Sequence, residues 1–353
     1  MESQVAIASP TMKKFLIIIN SILLFTTNCA GPLITRLYFI RGGSRIWLSC
    51  SIITAGFPLT LFLLIISYFY RRKSDGPEGT KIMFMTRNLF IASLISGLVT
   101  GIVDYFYAFG SAKLPVSTSS LLISTQLVFT AIFAFLIVKQ KFTSYSINAV
   151  VLLTLGAGIL ALGAGSDRPA GESSKAYIIG FIMTLVAALL YGFVLALNEV
   201  SFRKTKRAIA FTLILEFQMM MCFFATAFCV TGMLINKDFQ AIPREAKEFE
   251  LGEGKYYMIM VLSAILWQIF FVGAVGVTCY SSALLSGILI AASLSVTEVL
   301  AVIFFHEKFG GEKGFSLALS LWGFVSYFYG ETKLNKKMKN IAIAAEMTQS
   351  PPI

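Results

Sequence analysis

The chain alternates long apolar runs with short polar breaks. The runs lie at 15–35, 47–70, 86–109, 115–138 and 144–164, and then at 176–200, 208–235, 256–280, 282–305 and 314–330. As α-helices, about 20 such residues cross the ~30 Å hydrocarbon core of a bilayer. Between 256 and 305 there is almost no polar interruption. At 1.5 Å per residue, about fifty residues would make a ~75 Å rod, so the run must fold back, most simply at 279–282. The pattern therefore predicts an all-α polytopic membrane protein of ten transmembrane helices, five in each half.

The halves are related. Segment 126–142, QLVFTAIFAFLIVKQKF, recurs 167 residues later as 293–309, SLSVTEVLAVIFFHEKF. Leu127 falls on Leu294, Thr130 on Thr297, Ala134 on Ala301, Lys141 on Lys308 and Phe142 on Phe309. The same ungapped offset carries Gly156 onto Gly323 and Gly163 onto Gly330. A period this long is not a solenoid repeat and points to a duplicated membrane half. With five helices per half, the second copy is inverted across the bilayer. At one position the copies part usefully, Ala131 in the first being Glu298 in the second.

Composition agrees with this class. Residues are 57% hydrophobic and 13% charged, with a mean hydropathy of +0.79, whereas a soluble domain carries about a quarter charged residues. The net charge of +11 therefore belongs to loops at one membrane face rather than to a nucleic-acid surface. Lys and Arg number 17 on the side of the N-terminus and 12 on the other, which places both termini in the cytoplasm. The expected order is a cytoplasmic N-terminus (1–14), a first five-helix repeat (15–165), an external linker (166–175), a second repeat (176–330) and a disordered cytoplasmic tail (331–353). Segment 1–14 lacks a signal-peptide cleavage site, so the first run should remain as an anchor. Only 236–255 among the external loops is long enough for a short amphipathic piece. Five cysteines lie inside apolar runs and His306 is the lone histidine. This composition offers no metal-ligand spacing, no expected disulfide and no cofactor motif. Neither a zinc-protease signature nor a Walker loop nor a nucleophile elbow is present, so the chain does not read as an enzyme, and function must lie between the helices.

Ionisable side chains inside a membrane cost roughly 2.5–3.5 kcal/mol each to insert and tend to be functional. Glu298 sits in the middle of the ninth run, with no basic residue expected at its depth. Asp104 lies in the third run, near the level of Arg36, where a tie between the two is possible. Both are candidates for proton coupling. Glu199 is expected to pair with nearby Arg203, and Glu216 with the basic segment 203–207. Among the amides, Gln126 and Gln268 lie near helix middles, Gln268 beside Trp267, and Asn28 and Thr130 are also within spans. A side-chain amide offers a donor and an acceptor side by side, the geometry that reads the edge of a heterocyclic base. Asn28, Gln126, Thr130, Trp267 and Gln268 are therefore the candidate substrate-binding residues. Gly31-Pro32, Gly56-Phe57-Pro58 and Gly273/Gly276 should weaken helices 1, 2 and 8 beside a cavity.

Several stretches carry a resemblance. RLYFIRGGSRIWLSC (36–50), TAGFP (54–58), LPVSTSSLLISTQLVFTAIFAFLIVKQKFT (114–143) and VTEVLAVIFFHEKF (296–309) are similar to the plant purine permease family of the drug/metabolite transporter superfamily. The resemblance covers nearly the whole chain. It implies the drug/metabolite transporter fold and proton-coupled import of adenine, cytokinins and related heterocycles. The family often has Asp-Asn where this chain has Asp104-Tyr105.

The sequence thus leads to a proton-coupled secondary transporter, a monomer of the plasma membrane, whose partners are a purine or cytokinin substrate, protons and the lipid bilayer, without nucleic acid. The competing reading is a carrier or exporter of the same fold for another metabolite such as an amino acid, nucleoside or alkaloid. A sugar-phosphate carrier would need Lys or Arg within its spans, and none lies mid-span here.

Overall fold

The computed structural model describes residues 10–75, 82–140, 142–162, 173–205, 211–306 and 309–349. Most of the expected N-terminal segment 1–14, most of the linker 166–175 and the last four residues of the tail lie outside that set. The described residues form thirteen α-helices and no strand. They are α1 (Pro10–Ile40), α2 (Ile46–Thr54), α3 (Phe57–Asp75), α4 (Arg87–Lys113), α5 (Val116–Ser124), α6 (Gln126–Phe133) and α7 (Ser144–Leu162). The second half has α8 (Ser174–Arg203), α9 (Phe211–Ile235), α10 (Asp238–Glu248), α11 (Glu253–Tyr280), α12 (Ala283–Phe305) and α13 (Gly311–Gln349).

Eight helical segments among the described residues are long and apolar enough to cross a membrane. In this count α2 and α3 form one span, and so do α5, α6 and the π-helical turn Ala134–Val138 that continues them. The other two expected spans correspond to α7, whose apolar stretch Ser144–Gly156 is shorter, and α13. Large apolar side chains such as Phe15, Ile22, Phe62 and Phe69 stand exposed on the outside, while Asn20, Asn28, Gln126, Gln218 and Glu298 are buried. Polar inside and apolar outside is the arrangement a lipid solvent selects.

Local boundaries follow from capping chemistry. The run 256–305 folds back where expected, at Ser281–Ser282, and Ser282 Oγ accepts the Leu285 amide at 3.1 Å to cap α12. The π-turn and α12 both end on a residue in the left-handed region, Lys139 at φ 55° and His306 at φ 51°. These two residues are 167 apart, the sequence offset of the repeat. Equivalent pairs are buried alike, Leu127 with Leu294, Thr130 with Thr297 and Ala134 with Ala301. Helix partnering follows the same pattern: α4 packs along α8, α1 along α11, α6 on α8, α12 on α1, and α7 along α13. In that last pair a Cβ at Gly156 would lie 3.1 Å from the Ser316 carbonyl oxygen, and one at Gly323 would lie 3.1 Å from that of Ala149. Both relations repeat at the same offset, so each glycine admits the other helix's backbone.

Three expectations change. Helix 1 is not broken at Gly31-Pro32, since α1 carries Pro32 inside a continuous helix. Helix 8 likewise passes unbroken through Gly273 and Gly276, which instead let α1 approach at Asn20 and Leu24. Only helix 2 breaks as expected, between Thr54 and Phe57. The third concerns 331–349, which continues α13 as helix to Gln349 rather than forming a disordered tail. That stretch is rich in Lys, Ala, Met and Glu and holds no Gly or Pro, so its helix propensity is high.

On the side where α1 ends, the 236–255 loop forms α10 and lies across the helix ends. The Glu245 carboxylate accepts from the Tyr38 hydroxyl at 2.5 Å, the Tyr256 hydroxyl at 3.1 Å and the Ser44 hydroxyl at 2.8 Å. This hub ties α1, the loop after it and α11 together at one mouth.

Candidate functional site

A cavity lies among α1, α2, α4, α5, α6, α8, α11 and α12. Its aromatic wall comes from Tyr107, Tyr191, Trp267, Phe270 and Phe271. Trp267 meets Tyr107 edge-on at 5.7 Å and Phe270 edge-on at 5.3 Å, and Tyr191 stacks on Phe270 at 6.3 Å. Gly31 lets the indole lie against α1, where a Cβ would come 3.0 Å from the ring. The indole N–H donates to Thr35 Oγ1 at 3.3 Å, which fixes the ring's tilt. Flat faces in several orientations suit a planar ring system.

Polar groups enter this wall at three points. Gln126 begins α6, directly after the break at Thr125 that separates it from α5. Its side chain is fully buried, and neither its amide oxygen nor its nitrogen has a hydrogen-bond partner among the described residues. A buried amide left open at both atoms is unusual, because most buried polar groups are paired. Asp104 on α4 also lines the cavity, and its Oδ2 is buried with no hydrogen-bond partner among the described residues. Asn28 on α1 is the third, donating from Nδ2 to Ser293 Oγ at 2.8 Å and to the Ile290 carbonyl at 3.3 Å.

Of the sequence candidates, Asn28, Gln126, Trp267 and Asp104 meet at this cavity. Gln268 does not line it. Adjacent helical residues point about 100° apart, and Gln268 turns from the cavity to the Thr60 hydroxyl and to Gln218 Oε1, the latter at 3.1 Å. It belongs to a bridge joining α11, α3 and α9. Thr130, one turn beyond Gln126, packs instead against Gly192 of α8 and Gly287 of α12. Glu298 is fully buried one turn beyond Leu294, a cavity residue, on the same face of α12.

Two of the charged residues have partners that the sequence did not point to. Arg36 donates to the Ser111 and Ala112 carbonyls at the end of α4, at 2.9 and 3.3 Å. These carbonyls lie at least seven residues, ~10 Å of helix axis, beyond Asp104. Glu216 accepts from the Phe84 and Met85 amides, each at 2.9 Å; residues 206 and 207 of the basic segment expected beside it lie outside the described residues. Glu199 pairs with Arg203 at 2.5 Å as expected and also accepts the Ala283 amide at 2.7 Å at the start of α12. Tyr105 turns from the cavity and stacks on Trp47 at 4.2 Å, so the residue at that position has no direct bearing on the wall.

Sequence reasoning missed Tyr107, Tyr191, Phe270 and Phe271. A signal existed for three of them, since Asp104/Tyr107 and Trp267/Phe270/Phe271 have the i, i+3, i+4 spacing of one helix face. Tyr191 carried none.

Comparison with known proteins agrees with this geometry. Residues 15–337 match the model of a family described as purine nucleobase transmembrane transport. The chain belongs to the purine permease family. It is 51% identical over 331 residues to purine permease 3 of Arabidopsis thaliana, covering 94% of each chain. Purine permease 2 of the same plant is 51% identical over 352 residues, 96% of this chain and 98% of its own. Probable purine permease 5 is 36% identical over 306 residues, 87% of this permease and 83% of the relative. A solved crystal structure only 14% identical shares the fold at a TM-score of 0.55, over 86% of this permease and 96% of that chain.

Proposed function

We propose that this permease is a proton-coupled importer of purine bases and purine-derived heterocycles, adenine and cytokinins among them. The observation that carries the reading is Gln126, an open donor–acceptor edge inside an aromatic-walled cavity. An amide of this kind pairs with the donor–acceptor edge of a base, and the surrounding rings supply its stacking faces. The family's purine nucleobase transport and the names of the Arabidopsis relatives point to the same substrate class.

A neutral base gains nothing from the membrane potential, so accumulating it requires a coupled ion. Asp104, in the cavity wall, and Glu298, one turn from it, are the carboxyls for that role, as membrane acids are in proton relays. The permease works as a monomer of ten spans, α7 and α13 included, arranged as two inverted five-helix repeats at 15–165 and 176–330. Supporting the repeats are the shared offset of Lys139 with His306 and the reciprocal approach of Gly156 and Gly323. A further parallel is that Arg36 holds the end of α4 while Glu199 holds the start of α12. Both termini face the cytoplasm, and the plasma membrane is its site.

Sealed right-side-out plasma-membrane vesicles, made from cells expressing the permease with a C-terminal tag, test the reading. With the exterior acidic, labelled adenine should accumulate, and excess adenine or a cytokinin should block it while an amino acid does not. External protease should leave the tag intact. Inhibition by the amino acid and not by adenine would overturn the substrate class, and a cleaved tag the orientation.

A further inference from the structure

The Asn28 amide is oriented by its neighbours in a way that constrains the substrate. Its cavity-lining side chain sits beside two groups of α12, the Ile290 carbonyl and the Ser293 hydroxyl. A carbonyl only accepts, so the atom of Asn28 facing Ile290 must be the nitrogen. The Ser293 hydroxyl donates its own proton to the same carbonyl at 2.8 Å, so toward Asn28 its oxygen can only accept. The Asn28 nitrogen is thereby turned to α12, at 3.3 and 2.8 Å from these two acceptors. The side-chain oxygen is the polar atom left to face the cavity. Ser293 is fully buried, which keeps water from exchanging for these partners.

We infer that Ser293 is a positioning residue that locks Asn28 as an acceptor, so that the site selects heterocycles offering an N–H donor at that point. Gln126, whose donor and acceptor are both open, adapts to either edge of a base; Asn28 does not. The two roles come from equivalent places, since Gln126 and Ser293 are separated by the repeat offset of 167 residues. One copy of the repeat thus supplies a contact group, and the other orients a contact group of α1. The inference rests on the purine reading above and adds a rule of selection to it.

Adenine offers N–H donors at its ring nitrogen and its exocyclic amine, and two methylated analogues remove them one at a time. 9-Methyladenine lacks the ring N–H, and 6-dimethylaminopurine lacks the amine N–H. Competition of each against labelled adenine uptake gives a discrimination ratio. In the wild type at least one analogue should compete ten- to a hundredfold less well than adenine, the loss expected when a buried acceptor is left unpaired. Ser293→Ala removes the nearer acceptor and leaves the nitrogen held by the Ile290 carbonyl at 3.3 Å alone, so the amide turns more readily and the ratio should shrink threefold or more. Ser293→Cys keeps the volume with a weak acceptor and should shrink it likewise, so the test survives poor folding of one variant. Ser293→Thr retains the hydroxyl and should keep the wild-type ratio. A wild type that treats both analogues like adenine, or an unchanged ratio in the alanine and cysteine variants, would overturn the inference while leaving purine transport standing. Failure of unlabelled adenine itself to compete would instead bring down the purine reading.

Discussion

Gln126→Ala should raise the half-saturating adenine concentration by about one to two decades, with normal amounts of protein in the membrane. The amide presents a donor and an acceptor, both buried and both without hydrogen-bond partners among the described residues. Substrate is the group that can satisfy them, and losing one such buried hydrogen bond removes about 1–3 kcal/mol, where each 1.4 kcal/mol is tenfold in affinity. The backbone should tolerate the change, because Gln126 begins a helix and alanine is the best helix former. Concentration dependence of initial uptake rates checks it. Gln268→Ala should act differently, because that amide is bound to Thr60 and Gln218. Its loss should lower the amount of folded permease more than the affinity.

Replacing either acid should uncouple transport. Asp104→Asn and Glu298→Gln keep the size and much of the hydrogen bonding of each side chain but cannot carry a proton. Under an imposed pH gradient, each variant should bring internal adenine only to the external concentration, whereas exchange of labelled for unlabelled adenine should continue. At the sequence offset of 167 residues the counterpart of Glu298 is Ala131, which is also buried but carries no acid. The α4 acid is set into the cavity wall itself. Accumulation ratios measured beside exchange rates separate coupling from substrate binding. A variant that still concentrates adenine would remove its acid from the proton path.

Much of this was legible in the chain because a bilayer imposes simple rules. Apolar runs marked the helices, and the 167-residue sequence offset recurs in the two left-handed residues Lys139 and His306. Asn28, Gln126, Trp267 and Asp104 could be selected because polar groups in lipid need a reason to be there. What the chain could not reveal was direction. Trp267 and Gln268 are neighbours in sequence yet face different partners, and helix phase relative to a cavity depends on how the other helices pack. Proline and glycine misled for a related reason. Pro32 lies within a continuous α1, and Gly273 and Gly276 serve close packing on α1 rather than a break. Glu216 accepts from the Phe84 and Met85 amides, a contact that residue types alone do not encode.

The central claim, that the aromatic cavity holding Gln126 is the purine site, is tested most directly by photolabelling with an azidoadenine and mapping the modified peptides. Labelling that excess adenine suppresses should fall on α4, α8 or α11, at or beside Tyr107, Tyr191, Trp267 and Phe270. Adenine-protected labelling confined to α10, or to the packed pair α7 and α13, would contradict it.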